Sequence, residues 1–371
     1  MRVNIIGGGI LGTTHAWEAV RRGHQVVHFE REPEARGATV RNFGLVWVSG
    51  RTGGELDAAL RARELWEELG AAVPGIGFRA NGSLTLLRTP AEVAVAEEVA
   101  ARPDAAARGF AVVDAEQARA VNPALRGKFL AALACSKDAT VESRQALPAM
   151  RAHLAASGRY TFLPSTEARV VDAHGVRDDH GRRHDADCVV VCAGAAHGGL
   201  VRELAGELPV RRVRLQMMQT APLGEPLTTS IADGDSMRYY PGFAGAAVDT
   251  LTRTQPQDPV AEQHHMQLLC VQRVHGGLTI GDTHEYTEPF TFDVSEDPYA
   301  YLAGLVEELL GRALPPVRRR WAGVYSQCVD PGELVCRRSP DPAVHVVTGP
   351  GGRGMTLGPA IAEQTAALLG W

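Results

Sequence analysis

The sequence predicts an α/β chain, α+β overall, in which a unit built on a parallel sheet is interleaved with a second unit built on a mostly antiparallel sheet. Three observations carry this expectation. Residues 3–6 read as a buried strand, a glycine run follows, and residues 10–22 and 25–30 read as a helix and a second strand, which makes a βαβ unit. Residues 187–192 (Asp-Cys-Val-Val-Val-Cys) form the continuous apolar run of a strand covered on both faces. From 213 to 285 the pattern changes to separated strands joined by turns.

The remaining elements follow in order. Gly23 stands where a C-terminal glycine would end the first helix. Helical stretches are expected at 55–70, 90–101, 114–122 (closed by Asn122-Pro123), 143–157 and 297–311. Strands are expected at 82–87, 160–163, 215–220, 237–240, 278–283 and 343–348, with a polar hairpin over 168–184 turning at Gly175 and Gly181. The last strand runs into a glycine-rich loop and a terminal helix. Of the 371 residues, 45% are apolar and 22% charged, an ordinary balance for a chain with a sizeable core, and too long for a single small binding module.

The formal charge of −5 offers no global attraction to nucleic acid or an anionic membrane. Lys128 and Lys137 are the only lysines, so 36 of the 38 positive charges are arginine, and a fixed cation in a site is a guanidinium suited to bidentate contact with an anion. Six cysteines without a CxxC pair indicate neither a zinc site nor a disulfide framework. The chain opens on an apolar strand without a basic leader, and no apolar run reaches the ~18 residues of a spanning helix, so a cytoplasmic location is expected. The His264-His265 pair does not share a helix face and is read as solvated.

Gly7-Gly8-Gly9-Ile10-Leu11-Gly12 is a G-x-G-x-x-G between a strand and a helix, with Glu30 at the end of the next strand and Arg31 beside it. Gly7 permits the tight turn, Gly9 lets backbone approach a pyrophosphate, and Gly12 allows close packing of helix on strand. The amides at Ile10 and Leu11 open the helix where an anion binds, and Glu30 can accept hydrogen bonds from ribose hydroxyls. This predicts a dinucleotide without separating FAD from NAD. Near the end, Thr348-Gly349-Pro350-Gly351-Gly352-Arg353-Gly354-Met355-Thr356 opens a second helix whose amides can face a developing negative charge, and Ala193-Gly194 closes the strand at 187–192.

On these segments the chain resembles, over essentially its full length, the D-amino-acid-oxidase-like superfamily of FAD-dependent amine oxidoreductases, which includes glycine oxidase and sarcosine oxidase. The resemblance implies FAD, a Rossmann-type FAD-binding domain assembled from 1–78, 140–212 and 321–371, and a substrate domain from 79–139 and 213–320. It also implies that the terminal loop covers the pyrimidine side of the flavin. Arg41-Asn42-Phe43-Gly44, Leu215-Gln216-Met217, Arg238-Tyr239-Tyr240-Pro241, the run from Leu278 to Tyr286 and Trp321 to Tyr325 are similar to a clade associated with aminophosphonate degradation. That narrower resemblance implies oxidation of the C–N bond of a 2-aminoethylphosphonate-like amine, or of its hydroxy or N-methyl derivative, with a glycine, sarcosine or D-amino-acid oxidase or dehydrogenase as the alternative. A non-catalytic flavin-binding electron-transfer partner is the reading of another class.

Two departures qualify the resemblance. Gly323 occupies the position at which some relatives attach FAD through a cysteine, so non-covalent FAD is expected. The lysine that assists oxygen activation in sarcosine-oxidase relatives falls near Thr279, so the acceptor, O2 or another, stays open. Arg238 and Arg41 are candidates to clamp the substrate anion, with Arg353 comparable to Arg41. His284 is a candidate proton acceptor or anion partner, against the ordinary structural role of one histidine among 13. Tyr240 and Tyr325 are candidate lining groups, against simple aromatic packing. No metal is expected, and the chain is read as a monomer or homodimer.

Overall fold

The computed structural model describes residues 1–371. A six-stranded sheet runs in the order Cys336–Asp341, Val344–Thr348, Cys188–Val191, Arg2–Ile6, Gln25–Phe29, Tyr160–Leu163. All its pairings are parallel except that of the edge strand Cys336–Asp341. Alternation along these strands divides two cores. Val3, Ile5, Cys188 and Val190 face the helices Ile10–Arg21, Gly53–Ala72, Ala146–Ala155 and Gly354–Leu368. Ile6, Phe29, Val189 and Val191 face the opposite layer, which includes a small sheet of Ala168–Asp172, Gly175–Asp178 and Arg183–Asp185. With both faces covered, the strand needs no polar side, which is why 188–191 is uniformly apolar.

An eight-stranded sheet has the order Val317–Cys328, Val210–Pro222, Gly277–Gly281, Leu269–Gln272, Ser230–Asp233, Ser83–Leu87, Ala131–Cys135, Phe110–Asp114. It is antiparallel but for the pairing of Ser230–Asp233 with Ser83–Leu87. Its two longest strands pair from Val210 opposite Cys328 to Thr220 opposite Val317. The helix Asp297–Leu310 packs through Leu302, Val306 and Leu309 on one face. The other face, with Leu215, Met217, Leu269 and Tyr325, meets Phe43 and Trp47 across a cleft.

The boundary expected at 321 falls inside Val317–Cys328, and that at 212 inside Val210–Pro222. Residues 237–240, expected as a strand, lie instead at the end of the 3-10 turn Gly234–Arg238 and the start of Pro241–Phe243. The cause is local: the Asp233 carboxylate accepts the Ser236 N–H at 3.1 Å and the Ser236 hydroxyl at 2.5 Å, which starts the turn. The segment 168–184 folds antiparallel as expected and runs through three strands, Ala168–Asp172, Gly175–Asp178 and Arg183–Asp185, with Gly181 in the second turn and Gly175 opening the second strand at φ +136°. No helix of the chain is long and apolar enough to cross a membrane.

Candidate active site

A cavity of about 1570 Å³ begins at the carboxyl end of Arg2–Ile6 and reaches the inner face of the eight-stranded sheet. That exceeds the ~300–1,000 Å³ of ordinary small-molecule pockets. At its first end Gly7 adopts φ +105°, and a Cβ there would sit 2.3 Å from the Cys192 carbonyl oxygen. A Cβ on Gly12 would meet the Gly7 carbonyl at 1.9 Å. Glu30 accepts the Gly8 N–H at 2.8 Å and the Glu32 N–H at 3.0 Å, which fixes its carboxylate beside the turn with lone pairs to spare. Thr39 accepts the Ile10 N–H at 2.9 Å, so of the two opening amides only that of Leu11 is without a protein partner.

The middle of the cavity is walled by Arg41–Phe43 on one side and Gly351–Thr356 on the other. These walls are tied together. The Thr356 hydroxyl oxygen accepts the Trp47 N–H at 2.9 Å, and Trp66 Nε1 donates to the Met355 carbonyl at 2.9 Å. Thr348 donates to the Gly194 carbonyl at 2.9 Å, joining the two glycine turns at the end of the parallel strands.

At the far end Tyr239, Tyr240, Tyr286, Tyr325, His284, Gln267 and Asp282 line a chamber. Tyr239 and Tyr240 meet edge to face at 5.2 Å, and Tyr239 stacks on His284 at 4.4 Å. The His284 Nδ1 donates to the His265 carbonyl at 3.0 Å, since a carbonyl only accepts. Burial pushes the Tyr240 and Tyr325 hydroxyls far above the usual phenol range, so both are neutral donors. Burial likewise holds the Asp282 carboxyl above the usual range.

A model of the family described as FAD dependent oxidoreductase matches residues 2–368. The chain belongs to that family. A subunit of the opine oxidase of Rhizobium meliloti is 24% identical over 193 residues, covering 47% of this chain and 52% of that protein. The chain spans about half the length of the curated relatives it matches. Among solved structures, glycine oxidase from Geobacillus kaustophilus superposes with a TM-score of 0.76 at 20% identity, over 100% of this chain and 95% of the other. Iminodiacetate oxidase from Chelativorans sp. BNC1 gives 0.78 at 20% identity, over 100% and 95%.

As a member of that family, the chain has residues that suit an FAD cofactor. The turn at Gly7 is closed to any side chain, the Leu11 amide waits for an acceptor, and the buried Trp47 Nε1 beside the terminal loop has no protein partner. Gly7, Gly9, Ile10, Leu11, Glu30, Arg31, Arg41, Asn42, Phe43, Ala193, Gly194 and Gly351 to Thr356 all line the cavity. Gly12, Gly44 and Gly349 do not: Gly12 sits where close packing of helix on strand was expected, while Gly44 and Gly349 allow backbone to approach backbone or a neighbouring side chain rather than face the cavity.

The substrate candidates divide more sharply. Arg238 is corrected from a free clamp to a paired residue, since its Nε donates to Asp235 at 2.6 Å and its Nη2 to the Gln255 carbonyl at 2.6 Å. Arg353 is occupied too, by the Pro350 and Glu333 carbonyls and by Glu55 at 3.5 Å. Arg41 makes one bond, to the Ala322 carbonyl at 2.9 Å, and forms no ion pair. Thr279 is buried away from the cavity, bonded to Gln219 at 3.2 Å. Asp282, Gln267, Trp47, Tyr239 and Tyr286 also line the cavity; Tyr239, Asp282 and Tyr286 lie within the segments that carry the resemblance, but nothing local marks Gln267 or Trp47 as cavity-facing.

Proposed function

We propose that the protein oxidises the C–N bond of a small anionic amine, and that this amine is an aminophosphonate of the 2-aminoethylphosphonate type or its hydroxy or N-methyl derivative. The carrying observation is continuity: one cavity joins the dinucleotide turn to an aromatic chamber holding an acid, an imidazole and phenols. When bound, FAD supplies the acceptor for hydride from the carbon bearing nitrogen. The chain's own groups do the rest. Arg41, with donors to spare, takes the phosphonate or carboxylate. The aromatic walls exclude water and orient the amine. The amides and dipole of Gly354–Leu368 favour negative charge arriving at the cavity wall.

Gly323 lines the cavity where a covalent link would need a thiol, which supports non-covalent FAD. Neither lysine lines it, which supports an acceptor other than O2. That relatives are named for oxidising glycine, iminodiacetate and opines supports an amine substrate. The test is anaerobic bleaching of the flavin by aminophosphonates, N-methylated analogues, glycine, sarcosine and D-amino acids, followed by admission of air. Bleaching by a phosphonate and slow recovery in air are expected. Bleaching by glycine or sarcosine alone replaces the phosphonate with an amino acid, and a flavin that stays oxidised with every amine removes the enzymatic reading.

A further inference from the structure

We propose that Asp282 is the counter-ion that seats the substrate's ammonium group within the Tyr239–Tyr240–Tyr325 chamber and takes its proton. The inference rests on the amine-oxidising reading above. Asp282 is 5% exposed and lines the cavity, yet no cation lies within ion-pair distance of it. Its side chain receives a single hydrogen bond, from Gln267 Nε2 to Oδ1 at 3.2 Å, and Oδ2 receives none from the protein. A buried carboxylate left this way is costly unless a cation reaches it.

The surroundings suit a cation. Tyr239, Tyr240 and Tyr325 line the same cavity as Asp282, and for the buried Tyr240 and Tyr325 the Asp282 charge adds to the burial that keeps the hydroxyls from ionising. Aromatic faces attract an ammonium most strongly when water is excluded. The nearby cations are committed elsewhere: Arg51, 5.8 Å from the Tyr240 ring, donates to Glu55 and the Trp47 carbonyl, and Arg211 lies over Tyr286 at 4.6 Å. The titratable neighbours are His284, Tyr239, Tyr240, Tyr286 and Tyr325. His284 has spent Nδ1 on the His265 carbonyl.

The step is a proton transfer. One N–H bond of the ammonium breaks, an O–H bond forms on the Asp282 carboxylate, and the freed lone pair remains on nitrogen with no change of oxidation state. The amine is then neutral, as hydride loss from its neighbouring carbon requires.

The test uses the flavin-loaded protein with D282N and Y239L. Tetramethylammonium, which has no proton to give, and neopentyl alcohol, its neutral isostere, are titrated while the flavin's visible spectrum is followed. Asp282→Asn is expected to weaken tetramethylammonium binding about tenfold and leave the alcohol unchanged. Tyr239→Leu removes a ring from a residue 36% exposed, so it keeps the question open should D282N not fold, and is expected to reduce the same preference. Flavin reduction by the best amine should lose its acidic limb in D282N. Equal tetramethylammonium binding by wild type and D282N, with amine bleaching intact, overturns the seat and spares the oxidase. Binding that depends on Asp282 in a protein no amine bleaches overturns the oxidase and spares the cation seat. No tetramethylammonium binding by wild type overturns the seat outright.

Discussion

The Gly7 carbonyl oxygen meets His28 Nε2 at 2.9 Å, and His28 Nδ1 meets the Tyr160 hydroxyl at 2.9 Å. Since the carbonyl can only accept, Nε2 carries the proton and Nδ1 accepts from Tyr160. Burial drives the His28 pKa down to about 4, with the Gly7 bond opposing and the Arg151 charge adding slightly. Between about pH 6.5 and 4 the unfolded chain therefore binds a proton at this position that the native protein refuses, and stability falls as pH falls through that window. His28→Gln removes the titration. Its stability deficit at pH 7, measured by urea unfolding, is expected to shrink by up to about 3 kcal/mol at pH 4; a deficit independent of pH contradicts the neutral imidazole. The glycine spacing made the Gly7 turn legible in the sequence. The histidine beneath it was not legible, because a contact across 21 positions carries no local signal.

Elements meet through a few buried charges. Asp138 is fully buried, and its Oδ1 accepts the Val48 and Ser49 amides at 2.6 and 3.0 Å while Oδ2 accepts the Ser83 hydroxyl at 2.6 Å. It thereby pins the cavity-lining segment around Trp47 to the eight-stranded sheet. Asp138→Ala leaves two amides unsatisfied and is expected to cost about 2–5 kcal/mol of stability in denaturant unfolding, with Asp138→Asn well below that because one oxygen still accepts. Arg273 does similar work, donating to the Phe43 and Val141 carbonyls at 2.6 and 3.2 Å. Element types were legible where periodicity was strong, as in Gly53–Ala72 and Asp297–Leu310. Ala131–Cys135 was missed because alanines carry no alternation, and Cys336–Asp341 because an exposed edge strand containing Pro340 reads as loop. Arg238 was misassigned with its strand: once Asp233 caps the turn, the guanidinium falls onto Asp235.

Across the whole molecule, the cavity draws its lining from residues 6–55, 166–201, 212–290 and 323–356, so cofactor binding and folding are coupled. FAD at about a hundred times its dissociation constant is expected to stabilise the protein by about 2.7 kcal/mol and raise Tm by a few degrees over the deflavinated form. An unchanged Tm contradicts a preformed site shared by all four segments. The interleaving also has a consequence for synthesis. Val344–Thr348 is the neighbour of Cys188–Val191 in the sheet, and Gly354–Leu368 covers the first helix. While a ribosome works through the roughly 150 residues between these strands, at about 5–20 residues per second, the nascent chain holds an apolar strand with one edge open for many seconds. Only when Val344–Thr348 and Gly354–Leu368 have followed can that edge close and the first helix be covered.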